Sequence, residues 1–81
     1  MSHYVYILKS IKDLKYYIGS TADVNARVAY HNSGLQRSTK NRIPFELVYA
    51  ETLETKSAAL MREKQIKRYK GGIAFKKLLN L

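Results

Sequence analysis

Residues 4–21 read YVYILKSIKDLKYYIGST, and this stretch decides the fold. Two apolar segments rich in Tyr, Val and Ile, residues 3–9 and 15–20, flank the polar linker SIKDL. Segments of this kind on either side of a short polar linker predict a β-hairpin with a loop of about four residues. The first strand is apolar on both faces, so we expect other elements to cover each of them.

Tyrosines recur along both predicted strands. Antiparallel pairing around the short loop places Tyr6 opposite Tyr17 and Tyr4 opposite Gly19. The hydroxyl groups of Tyr6 and Tyr17 then lie on one face of the hairpin, and Gly19 leaves space beside them. We expect Tyr4 and Tyr16 to serve in packing.

A helix, a loop and a third strand are predicted next. Residues 22–32, ADVNARVAYHN, have helical spacing, with Thr21 or Asp23 as the N-cap and Gly34 at the end. The segment SGLQRSTKNRI is polar, basic and without periodicity, which predicts a loop. Pro44 then begins the third strand.

The C-terminal part of the sequence predicts two helices. Thr55 is the N-cap of a long helix that runs to about Lys70, where Gly71 and Gly72 end it. The last residues, IAFKKLLNL, form a short amphipathic helix that can cover the sheet. The order β-β-α-β-α-α predicts a single α+β domain over residues 1–81, with a three-stranded antiparallel sheet between helices in an α/β/α arrangement.

The composition points to an anionic partner. The chain has 15 Lys and Arg against 6 Asp and Glu, a formal charge of +9, and no cysteine. Nucleic acid is favoured over membrane surfaces, although lysines that are only solvated are the alternative. Disulfides and cysteine-type zinc sites are excluded. The apolar run at residues 4–8 is too short for a signal peptide or a membrane span, so we expect a cytoplasmic protein.

A set of polar side chains falls on otherwise apolar faces of the predicted elements. The set is Tyr6, Tyr17, Arg27, His31 and Glu63. Each has a structural alternative. The tyrosines can be packing residues, and the Arg27–His31 pair can lie on a solvated helix edge. Glu63 can be the i, i+4 partner of Lys67.

Glu63 is predicted to face inward, with Ala59, Leu60 and Ile66 around it. A buried carboxylate needs a cation, a metal ion or strong hydrogen bonds beside it. As a group, the five side chains suit phosphodiester hydrolysis, because a carboxylate can hold a hard cation such as Mg²⁺ and an arginine can stabilise a phosphorane. A phenol or imidazole can deprotonate water if neighbouring cations lower its pKa. With no second acidic ligand, the set argues against a two-metal mechanism.

Several motifs occur in one order along the chain: YVYIL, YIGST, an arginine followed by HN, LVY with a later Glu, and REK with a later IK. This pattern resembles the GIY-YIG nuclease superfamily, and especially its small single-domain bacterial members, from residue 4 to about residue 70. The resemblance implies a compact α/β/α core and cleavage of DNA with one divalent metal ion, Mg²⁺ or Mn²⁺.

The resemblance also implies roles for the candidate residues. Tyr6 would be the general base or would position the attacking water, and Tyr17 would bind the phosphate or the water. Arg27 would stabilise the pentavalent phosphate. His31 would accept a proton from Tyr6 or from water. Glu63 would bind the metal ion.

The sequence departs from the family pattern at two places. Tyr4 replaces the glycine of the first signature, and no motif surrounds Asn80, the one residue placed like the accessory asparagine of many members. Gly19 would keep the backbone clear at the site. Lys9 lies where some members have an assisting lysine and is a candidate for contact with the nucleic acid, although a solvated strand end is an equal alternative.

These features predict a metal-dependent DNA endonuclease directed by nucleic-acid structure rather than sequence, with a role in DNA repair or recombination. RNA is not excluded as a substrate. The alternative is a nucleic-acid-binding module of the same fold without catalysis. Basic residues on the loop and on the outer face of the long helix would hold the backbone of the nucleic acid. They are Arg37, Lys40, Arg42, Lys64, Lys67 and Arg68.

Overall fold

The computed structural model describes residues 2–81. Its strands are β1 (His3–Ser10), β2 (Tyr16–Thr21) and β3 (Phe45–Leu53), which form one antiparallel sheet in the order β2-β1-β3. Its helices are α1 (Val24–Asn32), α2 (Lys56–Arg68) and α3 (Ile73–Leu78), and a 3₁₀ turn spans Lys40–Arg42. The predicted α+β class and the order β-β-α-β-α-α are confirmed.

The central strand β1 is buried on both faces, as its apolar sequence predicts. On one face Val5 and Ile7 pack with Ala59, Ile66 and Phe75, so α2 and α3 cover this side. On the other face Tyr6 and Leu8 pack with Phe45, and the half-buried Val24 and Val28 of α1 complete this second cluster. The sheet therefore lies between α1 on one side and the two C-terminal helices on the other.

The pairing between β1 and β2 differs from the predicted register by two residues. Tyr6 lies opposite Gly19, and Tyr4 lies opposite Thr21. The prediction was wrong because β1 continues to Ser10, so that the loop spans residues 11–15. The Ser10 hydroxyl holds this longer loop by accepting hydrogen bonds from two loop backbone N–H groups, at 3.2 and 3.1 Å. A shift of two residues keeps every side chain on its predicted face.

The first helix is shorter than predicted at its N-terminus. Asp23, one of the two predicted caps, is the N-cap, and its carboxylate accepts a hydrogen bond from the backbone N–H of Ala26 at 3.0 Å. Thr21 instead belongs to β2. Gly34 follows the helix with a φ of +80°, a conformation that glycine adopts without strain.

The long helix α2 begins as predicted. The Thr55 hydroxyl accepts a hydrogen bond from the backbone N–H of Ala58 at 3.0 Å. The helix ends at Arg68, before the predicted limit, and Gly71 follows with a φ of +76°. The prediction that Leu60 lies on the inward stripe was wrong, because 42% of Leu60 is exposed while Ala59 and Ile66 are buried.

Two side chains fasten the basic loop to the sheet. The Asn32 amide forms two hydrogen bonds with the backbone of Phe45: its oxygen accepts from the N–H at 2.7 Å, and its nitrogen donates to the carbonyl at 3.0 Å. The Ser10 hydroxyl donates to the carbonyl of Arg42 at 2.5 Å. These contacts fix the start of β3 against the end of α1.

An ion pair joins β3 to α2. Arg62 donates through Nε to both oxygens of Glu51, at 3.2 and 3.0 Å, and the Tyr49 hydroxyl donates to the same carboxylate at 2.5 Å. Burial alone would raise the pKa of Glu51, but these hydrogen bonds and the Arg62 charge lower it overall. Among residues 2–81, no helix is long and apolar enough to cross a bilayer.

Candidate active site

His31 is the centre of the candidate site. It lies near the C-terminal end of α1 and is only 1% exposed, because the ring packs into the cluster formed by Tyr6, Leu8 and Phe45. Its Nε2 lies 3.1 Å from the hydroxyl oxygen of Tyr6, and its Nδ1 lies 3.1 Å from the hydroxyl oxygen of Thr39. Both ring nitrogens therefore have a buried hydroxyl partner.

Tyr17 and Arg27 flank this pair. The Tyr17 ring meets the His31 ring edge-on at 4.8 Å between centroids, and it lies 6.4 Å from the Tyr6 ring. Arg27 is exposed, with its guanidinium carbon 5.4 Å from the centre of the Tyr30 ring. Through its charge and through hydrogen bonding, Arg27 lowers the pKa of Tyr6. The site thus has a buried Tyr6–His31 contact and a cation at its rim.

Gly19 leaves the space that the Tyr6 side chain occupies. A Cβ atom at Gly19 would lie 2.5 Å from the Tyr6 hydroxyl oxygen and 2.7 Å from Cζ, both well inside van der Waals contact. Only glycine allows the hydroxyl to remain at this position beside β2. The corrected register therefore gives Gly19 a direct role in the site.

The pKa values of the two central groups move in opposite directions. Burial, followed by the neighbouring Tyr17 hydroxyl, raises the pKa of Tyr6 to about 12 despite the opposing charge of Arg27. Burial, followed by the Arg27 charge, lowers the pKa of His31. Tyr6 is therefore a protonated phenol and His31 a neutral imidazole at pH 7. The lowered pKa that the sequence reasoning required of a basic phenol is not found for Tyr6.

Glu63 lies on α2, which covers the face of the sheet with Val5 and Ile7. Its side chain is 17% exposed, and its charge is near enough to raise the pKa of Tyr6. Lys67 Nζ donates to Glu63 Oε2 at 2.6 Å, so the i, i+4 pair foreseen as the structural alternative does form. Lys67 contacts only Oε2, so Oε1 of Glu63 is available as a ligand for a metal ion.

The candidate site offers a single carboxylate rather than a cluster of metal ligands. Within residues 2–81, no group of three or more His, Cys, Asp or Glu side chains converges as metal ligands would. A single carboxylate nevertheless fits Mg²⁺ or Mn²⁺ bound mainly by water and by substrate phosphate. Glu63 is the residue that could hold such an ion here.

The structure brings Tyr6, Tyr17 and His31 into contact and places Arg27 and Glu63 within electrostatic reach of Tyr6. Lys9 is not part of this group. It pairs with Tyr16 on the sheet, and its Nζ lies 6.0 Å from the centre of the Tyr16 ring. Tyr16 packs against the apolar cluster on the opposite face of the sheet.

The predicted nucleic-acid-binding residues fall into two classes. Arg42 and Lys67 are engaged within the protein, with Asp13 at 2.9 Å and Glu63 at 2.6 Å respectively. The others are exposed: Arg37, Lys40, Lys64 and Arg68. Lys64 and Arg68 line an open groove of about 650 Å³ along α2.

Thr39 is the site residue that sequence reasoning missed. Only 1% of this residue is exposed, although it lies in a segment that reads as a solvated basic loop. A single threonine in a segment without periodicity gives no signal of burial. Its contact with His31 depends on how the loop folds back over α1.

Comparison with known proteins places these residues in a family context. A family model described as the GIY-YIG catalytic domain matches residues 2–76. A UPF0213 protein of Staphylococcus epidermidis is 54% identical over 68 residues, which cover 83% of this chain and 82% of that protein. A UPF0213 protein of Staphylococcus aureus is 54% identical over 69 residues, covering 84% and 83% of the two chains.

A solved structure is also similar. The solution NMR structure of a UPF0213 protein from Bacillus halodurans is 40% identical to this chain and has a TM-score of 0.50. The similarity covers 84% of this chain and 72% of that one. Both the family signatures and the fold are therefore shared over most of the chain.

Proposed function

Because the chain belongs to the GIY-YIG family of catalytic domains, we propose that it is an endonuclease that hydrolyses DNA phosphodiester bonds with one divalent metal ion. The observation that carries this proposal is the buried contact of 3.1 Å between the Tyr6 hydroxyl and His31 Nε2, with Arg27 beside it. A buried phenol hydrogen-bonded to a neutral imidazole is suited to moving a proton.

The reaction begins with a water molecule near Tyr6 that attacks phosphorus. As the new O–P bond forms, this water gives a proton to the Tyr6 oxygen while the Tyr6 proton passes to His31 Nε2, so that an imidazolium is left. The bond from phosphorus to the leaving sugar oxygen then breaks, this oxygen takes a proton from solvent, and His31 later returns its extra proton to solvent. The raised pKa of Tyr6 favours this relay, because the phenol stays protonated between turnovers. His31 is the final base, and its lowered pKa keeps it neutral and ready to accept.

Arg27 and Tyr17 serve the phosphate. The exposed guanidinium of Arg27 can donate two parallel hydrogen bonds to phosphate oxygens, whose negative charge is greatest in the pentavalent state. The half-buried Tyr17 can donate to the phosphate or to the water. Glu63 would hold the divalent ion, which supplies positive charge to the phosphate and the leaving oxygen when it is bound.

The positive surface supports binding without base recognition. A net charge of +9 and the exposed Lys64 and Arg68 on α2 suit contacts with phosphates, which carry no sequence information. We therefore propose that the protein selects DNA by shape, for example at a branch, flap or nick. Such a substrate would suit a role in DNA repair or recombination, and we propose a cytoplasmic location.

One observation favours the alternative of a binding module without catalysis. Lys67 already forms an ion pair with Glu63, the carboxylate that would hold the metal ion. Such a module would bind nucleic acid with strong salt dependence but would not cut it.

The test compares wild-type protein with Glu63→Gln on branched, flapped, nicked and single-stranded DNA oligonucleotides and on matched RNA, in Mg²⁺, Mn²⁺ or EDTA. We expect metal-dependent cutting of DNA that Glu63→Gln abolishes while binding is retained. Glu54→Gln, in the exposed turn before α2, is the matched control and should cut normally.

Equal cutting by wild-type protein and Glu63→Gln, purified identically, would point to a contaminating nuclease and overturn the proposal. Binding without cutting in either metal would establish the binding module. Preferential cutting of the RNA oligonucleotides would change the substrate class.

A further inference from the structure

Thr39 is a buried hydroxyl with no part in the relay between Tyr6 and His31, yet it touches the imidazole. Its oxygen lies 3.1 Å from His31 Nδ1 and 3.5 Å from the carbonyl oxygen of Gln36. The 3₁₀ turn that follows holds this residue in place, since the Thr39 carbonyl accepts a hydrogen bond from the backbone N–H of Arg42 at 2.9 Å.

The direction of the hydrogen bonds follows from the Thr39 hydroxyl. It donates its proton to the Gln36 carbonyl at 3.5 Å, so its oxygen accepts from His31 Nδ1–H. A neutral imidazole carries one ring proton, so Nε2 has the lone pair and accepts from the Tyr6 hydroxyl.

Thr39 is therefore the last side chain in a series of hydrogen bonds that runs from Tyr6 through His31 to the Gln36 carbonyl. Every buried side-chain polar atom in residues 2–81 then has a partner, which agrees with the hydrogen bonds of the structure. The opposite tautomer would need the Thr39 proton at His31 Nδ1 and would take it away from the Gln36 carbonyl.

We propose that Thr39 is a positioning residue that holds His31 in the Nδ1–H tautomer and aims its Nε2 lone pair at Tyr6. This inference rests on the proposed function for its catalytic meaning, but the tautomer itself does not depend on any activity. A second contact on the far nitrogen is a general way to fix the tautomer and ring orientation of a working histidine.

The first experiment is NMR of ¹⁵N-histidine-labelled protein at a pH well above 6.5, the ordinary pKa of histidine. Long-range ¹H–¹⁵N spectra show which ring nitrogen carries the proton. His31→Gln assigns the signals, and His3 is the internal reference. We expect Nδ1–H at His31 in the wild-type protein. An Nε2–H tautomer there would overturn the proposal without any variant.

The second experiment compares Thr39→Val, which keeps the shape but loses the hydroxyl, with Thr39→Ser, which keeps it. We expect Thr39→Val to lose the pure Nδ1–H signal and to lower kcat about 10-fold or more at an unchanged KM. Thr39→Ser should restore both. Ser38→Ala removes the neighbouring exposed hydroxyl and should change neither.

A Thr39→Val protein that keeps the Nδ1–H tautomer and full kcat would refute the positioning role. If Thr39→Val does not fold, Thr39→Ala, which also lacks the hydroxyl, takes its place in both measurements. If the wild-type protein cuts no nucleic acid, the proposed function fails, whereas the spectra continue to report on Thr39.

Discussion

The hydroxyl oxygen of Tyr6 stands 2.5 Å from the point where a Cβ of Gly19 would lie. The two residues face each other across the β1–β2 ladder, so the absence of a side chain on one strand sets the position of a hydroxyl on the other. Because Tyr6 is 1% exposed and touches His31, it has little room to move away.

Replacing Gly19 with alanine should therefore disable the site more than it destabilises the fold. The new methyl group would push the Tyr6 hydroxyl from His31 Nε2, and a displacement near 1 Å costs about 100-fold in rate. Initial rates of DNA cleavage and thermal unfolding of Gly19→Ala measure the two effects separately.

Gly34→Ala is the matched control for that change. No atom lies within 4 Å of a Cβ at Gly34, but its φ of +80° would strain an alanine. We expect a loss of about 1 kcal/mol in the free energy of unfolding with cleavage unchanged. Full activity in Gly19→Ala would contradict the close packing of Tyr6 against β2.

Activity and stability should both depend on the ionisation of His31. Its pKa in the folded protein is lower than 6.5, its ordinary value, because of burial and then the Arg27 charge. In the proposed relay His31 must be neutral to accept a proton, so the rate should rise with pH with a midpoint at the lowered pKa, below pH 6.5.

The free energy of unfolding should change with pH in the same direction as the cleavage rate. Near pH 6.5 His31 binds a proton in the unfolded chain but remains neutral in the folded protein, because its folded pKa is lower. The free energy of unfolding therefore falls as pH decreases, and it levels off below the folded pKa. Urea unfolding at several pH values should show this step in His3→Gln but not in His31→Gln. A step of equal size in both variants would assign it to other groups.

Salt dependence should identify the basic residues that contact phosphate. Lys64 and Arg68 are exposed along the α2 groove. Each substitution by glutamine should reduce the slope of log K against log salt by about one if that residue neutralises a phosphate. Fluorescence anisotropy with labelled DNA and Glu63→Gln as the background measures binding without cutting.

Lys12→Gln is the control for net charge, since Lys12 is an exposed residue of the hairpin loop. We expect its slope to stay near that of the parent protein. Three equal slopes would mean that charge acts through the protein as a whole rather than through the α2 groove.

The pair Glu51–Arg62 should stabilise the packing of α2 on β3. Both side chains are about three-quarters buried, at 25% and 23% exposure, and Nε of Arg62 contacts both carboxylate oxygens. Arg62→Met should cost about 1–2 kcal/mol in the free energy of unfolding, because it leaves a largely buried carboxylate with only Tyr49 as partner.

A double-mutant cycle with Glu51→Gln isolates the pair, and we expect a coupling energy of about 1 kcal/mol. Arg68→Met, on the exposed side of the same helix, should change stability by less than about 0.5 kcal/mol. A coupling energy near zero would show that α2 is held by its apolar contacts alone.

The sequence predicted the elements whose causes are local. The hairpin and both capped helices follow from patterns within a few residues, such as Asp23 at the start of α1 and Thr55 at the start of α2. The register failed because the end of β1 is set by Ser10, whose hydroxyl organises the loop through contacts that no alternation of apolar residues encodes.

The site was predictable to the extent that its members lie on faces with a regular period. Tyr6, Tyr17 and His31 meet as their positions in β1, β2 and α1 predict. Thr39 could not be found in this way, because its burial depends on the path of an irregular loop. The pKa of Tyr6 depends on burial in three dimensions, and the sequence does not display that burial.

The two hydrogen bonds between the Asn32 amide and the backbone of Phe45 fix both ends of the intervening chain. Once the ends are held, doubling the length of a loop costs only about 0.6 kcal/mol in closure entropy. Insertions at the exposed Leu35, ahead of the turn that holds Thr39, would therefore leave the sheet and the His31 contacts undisturbed. At this point of the loop, evolution or an engineer could add a segment that recognises new ligands without changing the fold.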